Sequence, residues 1–283
     1  MNEAIAIRNK KMNEALECIA SRARSRPEVG IVLGSGLGDA ARAIEVRASI
    51  PYAEIPHFPS TTVSGHPGNL LVGRLAGVDV VVLQGRLHYY EGYAMSEVVF
   101  PIDLLGLLGA KVVVETCAVG ALRRGFDPGD LVSVSDHVNL MGDNPLLGVS
   151  DDLGRFVDMT DAYAPDLRRL MKEAAREAGL DLKEGVYAAV QGPCYETPAE
   201  ARFLSGIADL VGMSLVPEVI EARSLGLEVA AVAVVSNAHG RGEGVSHAEV
   251  LEVAKRAVPK LEKLLIGFTG KVSGYLIDRK GDA

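Results

Sequence analysis

The chain is predicted to fold as one α/β domain, and three features of its 283 residues support this prediction. Short apolar runs rich in valine and leucine, typical of buried strands, alternate with segments whose apolar residues recur at helical spacing. Hydrophobic residues make up 48% of the chain and its mean hydropathy is +0.18, which requires a large buried core. No linker and no internal repeat interrupts the alternation. We therefore expect a single domain over residues 1–283.

The expected elements follow one another along the chain, with strands dominating its first half. Apolar residues at Met12, Leu16 and Ile19 predict an amphipathic first helix. The predicted strands are residues 30–33, 70–75, 78–83, 111–116, 131–134, 184–190 and 228–236. The predicted helices are residues 98–108, 165–179, 198–205, 217–225 and 246–266, with Pro165 and Pro217 as first helical residues.

Composition excludes several classes of function. The net charge of −8 and the absence of Lys or Arg runs longer than two argue against a nucleic-acid or anionic-membrane surface. No stretch approaches the roughly 20 apolar residues of a membrane span, and charged residues interrupt the first 20 residues where a signal peptide would be apolar. Cys18, Cys117 and Cys194 are too few and too scattered for a disulfide framework or a zinc site, so a cytoplasmic protein is expected.

A glycine-rich turn, Gly34-Ser35-Gly36-Leu37-Gly38, follows the first predicted strand and precedes an expected helix. Its backbone N–H groups and the Ser35 hydroxyl are suited to a phosphate, because glycines allow close approach. Asp39 stands where the dinucleotide fingerprint needs its third glycine, so a dinucleotide-dependent oxidoreductase is disfavoured. A tight turn without a ligand is the alternative interpretation.

Arg86, His88 and Tyr90 alternate along the backbone just after an apolar strand. A permanent cation and an imidazole on one side of an extended segment suit a phosphate, whereas a surface salt bridge beside packed aromatic rings is the alternative. His66, in Gly65-His66-Pro67-Gly68, is a further candidate, although a loop histidine with a local partner fits equally.

Three polar features lie at predicted strand ends between residues 191 and 237. Tyr195 and Glu196 precede a Thr-Pro helix start, Met213-Ser214 lies where a strand passes into a helix, and Asn237 follows a buried strand. Open α/β sheets bind ligands at the carboxyl ends of their strands. An acceptor, a hydroxyl and an amide are therefore expected to converge on one pocket.

Two further residues have weaker support. Cys117 lies among small residues at a strand end, and nothing nearby lowers its pKa, so a buried inert thiol is favoured over a nucleophile. His247 follows Ser246, which resembles a helix N-cap, so His247 is either a ligand contact or an ordinary helix-start residue. Asp136-His137 and Asp151-Asp152 have no third ligand at useful spacing, and no metal site is predicted.

Together these motifs resemble those of the trimeric purine nucleoside phosphorylases, in the same order and over nearly the whole chain. The resemblance rests on Gly34–Gly38, Gly65–Gly68, Gly85–Tyr93, Gly192–Thr197 and Val211–Glu218, with Asp136–Leu140 and Met159–Tyr163 between them. It implies a mixed central sheet that partly closes into a barrel and is flanked by helices, and a homotrimer with sites near the subunit contacts.

The resemblance also implies a role for each candidate. The phosphate site falls on Ser35, His66, Arg86, His88, the backbone N–H of Ala118, and Ser214. The ribose contacts fall on Tyr90, Met213 and His247, with Phe156 lent by a neighbouring subunit. The purine contacts fall on Tyr195, Glu196 and Asn237, and the expected catalytic residues are Asn237, Glu196 and His88.

The implied reaction is reversible phosphorolysis of a purine nucleoside, with inorganic phosphate as co-substrate and no cofactor. Asn237 and Glu196 favour 6-oxopurines. A methylthio-nucleoside or adenosine phosphorylase is the alternative, although family members that act on 6-aminopurines tend to carry Asp at position 237. The chain has Cys117-Ala118-Val119-Gly120-Ala121 where the family usually has Asn-Ala-Ala-Gly-Gly, which leaves a non-catalytic purine-binding relative as a third possibility. The glycine-rich segment 238–244 is expected to be mobile.

Overall fold

A mixed β-sheet runs through the part of the protein that the computed structural model describes, residues 3–63, 65–149, 156–238 and 246–281. These residues form nine strands in the order β2-β3-β4-β1-β5-β8-β7-β6-β9. Their bounds are β1 Val29–Leu33, β2 Glu45–Pro51, β3 Asn69–Leu75, β4 Val78–Gln84, β5 Val112–Ala121, β6 Leu131–Leu140, β7 Leu182–Val190, β8 Leu210–Gly212 and β9 Glu228–Ala238.

One end of this sheet closes on itself. Strand β9 pairs antiparallel with β6 and also parallel with β5, so β5, β8, β7, β6 and β9 form a ring. The rest of the sheet is open and continues from β5 through β1, β4 and β3 to the edge strand β2. The mixed, partly barrel-like sheet expected from the sequence is confirmed.

Helices cover both faces of the sheet. Their bounds are α1 Glu3–Arg22, α2 Met95–Val98, α3 Phe100–Leu108, α4 Pro165–Glu177, α5 Pro198–Leu204, α6 Val216–Ser224 and α7 His247–Gly281. Alternate residues of β5 face opposite layers: Val113 packs in the core with α1, α3 and α6, whereas Val112 and Val114 pack in the core with α4 and α7. Pro165 is the first residue of α4, as predicted.

Some elements differ from the sequence prediction. Strand β2 was not predicted, because it is an edge strand with mostly exposed residues and shows no apolar run. The helix expected after the glycine-rich turn is a six-residue 3₁₀ segment, Gly38–Ala43. Helix α7 continues past residue 266 to Gly281 with Pro259 inside it. The segment 238–244, for which mobility was expected, lies outside the described residues apart from Ala238.

The strand directions define where a site can form. Strands β4, β1, β5 and β9 are mutually parallel neighbours, so their carboxyl ends meet at one edge of the sheet. The segments that follow β1 and β4 carry Ser35 and Arg86, and the carboxyl end of β9 itself carries Asn237. This edge is the place where α/β sheets bind ligands.

Candidate active site

A pocket lies at this edge of the sheet, and eleven of the predicted site residues line it. They are Ser35, Arg86, His88, Tyr90, Ala118, Tyr195, Glu196, Met213, Ser214, Asn237 and His247. The remaining lining residues are Cys117, Val119, Gly120, Val211, Gly212, Ser236 and Val250. Two predicted site residues, His66 and Phe156, are not among the residues that line it.

Ser35 is held by a histidine behind it. Its Oγ lies 2.9 Å from Nε2 of His66, and Nδ1 of His66 accepts a hydrogen bond from the backbone N–H of Arg86 at 3.2 Å. Burial, followed by the charges of His88 and Arg86, lowers the pKa of His66 to about 3. The ring is therefore neutral with its proton on Nε2, which donates to Ser35 and leaves the serine hydroxyl proton available to the pocket.

Arg86 is buried and held by two carboxylates. Its Nε donates to both oxygens of Glu218, at 3.2 and 3.0 Å, and Nη2 pairs with Glu115. Its Nη1 donates to the backbone carbonyl of Thr116 at 2.5 Å. Sequence reasoning assigned no role to either glutamate, although Glu115, a charged residue directly after the apolar run Val112–Val114, was a visible signal.

His88 is oriented by a carboxylate three residues later. Its backbone N–H and its Nδ1 lie 2.7 and 3.1 Å from Oε1 of Glu91, and Tyr90 stacks on its ring at 4.7 Å between centroids. Burial lowers the pKa of His88. Burial would raise the pKa of Glu91, but hydrogen bonds from His88 and Thr62 outweigh it and lower that pKa to about 2. The ionised carboxylate fixes the Nδ1 proton and leaves Nε2 as an acceptor.

Ser214 lies in a strained turn between β8 and α6. The N–H of Val216 donates to the carbonyl of Ser214 at 2.7 Å, and Leu215 between them has a φ of 63° and a ψ of −58°. These values describe a γ-turn of the rare, strained kind. The hydroxyl of buried Tyr187 accepts from the Ser214 N–H at 3.2 Å, which ties the turn to the barrel.

Close packing brings the expected ribose contacts together. A Cβ on Gly192 would lie 2.5 Å from Sδ of Met213 and 3.1 Å from the ring of Tyr90. Gly192 also has a φ of 71°, which a side chain would strain. Only glycine lets this loop lie against both residues.

The purine-binding candidates line the same pocket. Oδ1 of Asn237 accepts from Ser236 Oγ at 2.9 Å, while Nδ2 is buried and has no hydrogen-bond partner among the described residues. Glu196 is half-buried, and Tyr195 is 39% exposed. Thr197 caps α5, accepting from the Glu200 N–H at 3.3 Å, and so confirms the predicted helix start beside this pair.

His247 begins α7 at the pocket rim. Ser246 caps this helix, since its Oγ accepts from the Glu249 N–H at 3.3 Å and bonds the Glu249 carboxylate at 2.8 Å. The predicted N-cap is confirmed, and His247 lines the pocket as well.

Cys117 is buried, as predicted, and burial raises its pKa to about 12. A thiol with that pKa is protonated at neutral pH, so it is no nucleophile. Across the described ranges, no group of three or more His, Cys, Asp or Glu side chains has the arrangement of a metal site. None of the helices in these ranges has the length and continuous hydrophobicity of a membrane span.

Phe156 lies on the surface away from the pocket and is 88% exposed. It lines a separate depression with His137, Leu147 and Met159. Its position in one chain therefore gives it no contact with that chain's own pocket, and its role toward a neighbouring subunit stays a prediction.

Comparison with known proteins agrees with this geometry. The phosphorylase superfamily matches residues 28–269. Purine nucleoside phosphorylase 1 of Geobacillus stearothermophilus is 46% identical over 87% of this chain and 91% of its own length. The purine nucleoside phosphorylase of Rattus norvegicus is 42% identical over 88% of this chain and 90% of its own length.

Solved structures give the same result. The purine nucleoside phosphorylase of Schistosoma mansoni in complex with adenosine has a TM-score of 0.88 at 38% identity, covering 93% of this chain and 97% of that one. Its complex with inosine has a TM-score of 0.87 at 37% identity, covering 93% and 96%. The chain therefore belongs to the phosphorylase superfamily and, within it, to the family of purine nucleoside phosphorylases.

Proposed function

We propose that the protein catalyses reversible phosphorolysis of 6-oxopurine nucleosides, such as inosine and guanosine, to the free base and ribose 1-phosphate. One observation carries this proposal: a single pocket is lined both by donors suited to phosphate and by an amide and a carboxylate suited to a purine. Ser35, Arg86 and His88 belong to the first group, and Glu196 and Asn237 to the second.

The phosphate end relies on hydrogen bonds from groups that are already oriented. Ser35 donates its hydroxyl proton, Ser214 and the Ala118 N–H are further donors, and the guanidinium of Arg86 supplies positive charge. Nε2 of His88 accepts from the hydroxyl of hydrogen phosphate. His66 acts through Ser35, which refines the direct phosphate contact that the resemblance implied.

Phosphate is itself the nucleophile, so the pocket needs no pair of catalytic carboxylates of the kind that glycosidases use. As the bond between C1′ and N9 breaks, the sugar acquires the character of an oxocarbenium ion, and the negative phosphate beside it stabilises that charge. Tyr90, Met213 and His247 position the ribose, and attack from the face opposite the base inverts C1′.

The purine end stabilises the departing base. Nδ2 of Asn237, which has no partner among the described residues, donates to O6 as negative charge develops on the ring. The proton that hydrogen phosphate loses on forming the ester reaches N7 through solvent, and Oδ1 then accepts from N7–H. Glu196 accepts from N1–H, and Tyr195 packs against the base. Adenine has no N1 proton, so its nucleoside would offer this carboxylate no donor at position 1.

Phosphorolysis of adenosine is the second candidate, since one structural neighbour was solved with adenosine bound. Asn237 argues against it, because its N–H donor would face the amino group of adenine. The homotrimer, the cytoplasmic location and the lack of any cofactor stay predictions of the sequence.

A panel of nucleosides incubated with and without phosphate tests the proposal. Inosine and guanosine should release base only with phosphate, and the second product should be ribose 1-phosphate. Release of base in water alone, or preferred release of adenine, would overturn the proposal. No release from any nucleoside would favour a non-catalytic purine-binding protein.

A further inference from the structure

Three ionisable side chains meet in the protein interior directly behind the phosphate end of the pocket. Arg86 is 2% exposed, Glu218 is 3% exposed and Glu115 is fully buried. Nη2 of Arg86 pairs with both carboxyl groups, at 2.8 Å to Oε2 of Glu218 and more closely to Glu115. The cation expected to attract phosphate thus already faces two acidic groups.

This arrangement does not suit a dianion if both acids are ionised. One guanidinium between two carboxylates has a net charge of −1, and phosphate would add two more negative charges in a region of low dielectric. Like charges that share a buried site cannot all ionise, so one acid binds a proton. The remaining carboxylate then balances the guanidinium, and the donors of the pocket face the phosphate without a repelling charge behind them.

The hydrogen bonds indicate which acid is protonated. Both oxygens of Glu218 accept from Nε of Arg86, whereas Glu115 pairs through Oε2 only. Oε1 of Glu115 is buried and has no hydrogen-bond partner in the described part of the chain. A carboxylate charge is better stabilised on the acid with more donors.

Among the described residues, Arg86 is the one cation that interacts with Glu115. Cys117 on the same strand and Tyr163 beside α4 both interact with it electrostatically, and burial raises the pKa of each, so both are neutral at neutral pH. Arg86 from the segment after β4 and Glu218 from α6 are the charged groups that face it. Burial, and then the charge of Glu218, raises the pKa of Glu115 well above its ordinary value.

We propose that Glu115 is a positioning residue of the phosphate site, which holds Arg86 from the protein interior and carries a proton whenever phosphate is bound. The proposal rests on the proposed function, since it takes the pocket to bind phosphate. Because the protonated form binds the dianion more tightly, phosphate affinity should fall as pH rises through the pKa of Glu115 in the free enzyme. One linked proton sets a limit of about tenfold per pH unit.

Glu115→Gln tests this, because glutamine has the shape of the protonated acid and cannot ionise. Near neutral pH its phosphate KM should stay within about threefold of the wild-type value. Toward about pH 10 the wild-type phosphate KM should rise more steeply than that of the variant, up to the limit of about tenfold per unit. Glu221→Gln is the matched control, because Glu221 is also buried beside an arginine, Arg8, but lies outside the pocket. The phosphate KM of this variant should depend on pH as that of the wild type does.

The proposal would be overturned if the phosphate KM of wild type and of Glu115→Gln changed with pH in the same way. A phosphate KM of Glu115→Gln raised more than about tenfold near neutral pH would also overturn it. If the variant does not fold, titration calorimetry of wild-type protein with inorganic phosphate in two buffers of different ionisation enthalpy replaces it. Above about pH 8 free phosphate is the dianion. As pH then rises toward the pKa of Glu115 in the free enzyme, uptake should increase toward one proton per site, and zero uptake up to about pH 10 would contradict the proposal. Calorimetry needs no turnover, so it separates failure of this inference from failure of the proposed reaction.

Discussion

Gly34 and Thr116 approach so closely that no side chain fits between them. A Cβ on Gly34 would lie 2.6 Å from the Thr116 carbonyl oxygen, which itself accepts from Nη1 of Arg86. The Gly34 N–H in turn donates to Oγ1 of Thr116 at 3.0 Å. The glycine-rich turn, the strand β5 and the arginine thus share one contact, and the turn is required for packing as well as for ligand binding.

Gly34→Ala should destabilise the protein by about 1–3 kcal/mol, because the added methyl must push the turn away from β5. The phosphate KM should also rise, because moving the turn changes the distance between Ser35 and Arg86. Urea unfolding and phosphate kinetics measure the two effects. Gly274→Ala is the matched control, since nothing lies within 4 Å of its Cβ position and it sits in α7, where alanine should preserve or raise stability. Equal stability of Gly34→Ala and wild type would contradict the packing argument.

Arg86→Ala leaves two buried carboxyl groups without their cation, so we expect a loss of about 3–5 kcal/mol in unfolding free energy. In the protein that remains folded, turnover should fall, and the phosphate KM should rise more than the inosine KM. Arg8→Ala is the control, because Arg8 also bridges two buried acids, Asp103 and Glu221, but outside the pocket. Arg8→Ala should lower the free energy of unfolding and leave the phosphate KM unchanged. Unchanged phosphate kinetics in folded Arg86→Ala would remove Arg86 from the site.

His66 should make stability depend on pH. The pKa of His66 in the folded protein, about 3, lies below its value in the unfolded chain. Between these two pKa values the unfolded chain binds a proton at His66 and the folded protein does not. The stability that neutral His66 contributes is fully present above about pH 6.5 and is lost as pH falls toward 3. Relative to His66→Gln, wild type should lose about 2 kcal/mol between about pH 6.5 and pH 5. Urea unfolding at both values checks this, and a constant difference would refute the assigned neutral ring.

Phe156→Ala tests the predicted contribution of a neighbouring subunit. If Phe156 completes the ribose site of the next subunit, its removal should raise the inosine KM while the trimer persists on a light-scattering column. Phe203→Ala is the control, because Phe203 is also an exposed aromatic residue, at 69%, and does not line the pocket. A fully active monomer, or equal effects of both substitutions, would argue against a shared site.

The sequence predicted those parts of the molecule that depend on local pattern. Apolar runs such as Val229–Val235 define a buried strand by themselves, and Ser246 and Thr197 carry the chemistry of a helix cap. Motifs at the ends of parallel strands indicated which side chains would line the pocket, because the strand ends meet at one edge.

Features that depend on distant contacts were not predictable in the same way. Glu115 and Glu218 are 103 positions apart and meet only because α6 packs against the sheet beside Arg86. The placement of His66 behind Ser35 depends on how two loops fold over each other, which neither loop sequence specifies. Edge strand β2 forms through pairing with β3 rather than through its own apolar pattern.

Base selection by Asn237 is the central claim of the functional account, and Asn237→Asp tests it most directly. The substitution replaces the Nδ2 donor with an acceptor that suits the amino group of adenine. The ratio of kcat/KM for inosine to that for adenosine should fall by at least about tenfold, equivalent to about one hydrogen bond in the transition state. The shift should stay incomplete, since Glu196 still requires an N1 proton. Asn139→Asp, the same change at an exposed position of β6 outside the pocket, should leave the ratio unaltered. An unchanged ratio in Asn237→Asp would show that Asn237 does not read position 6 of the purine and would contradict the 6-oxopurine assignment.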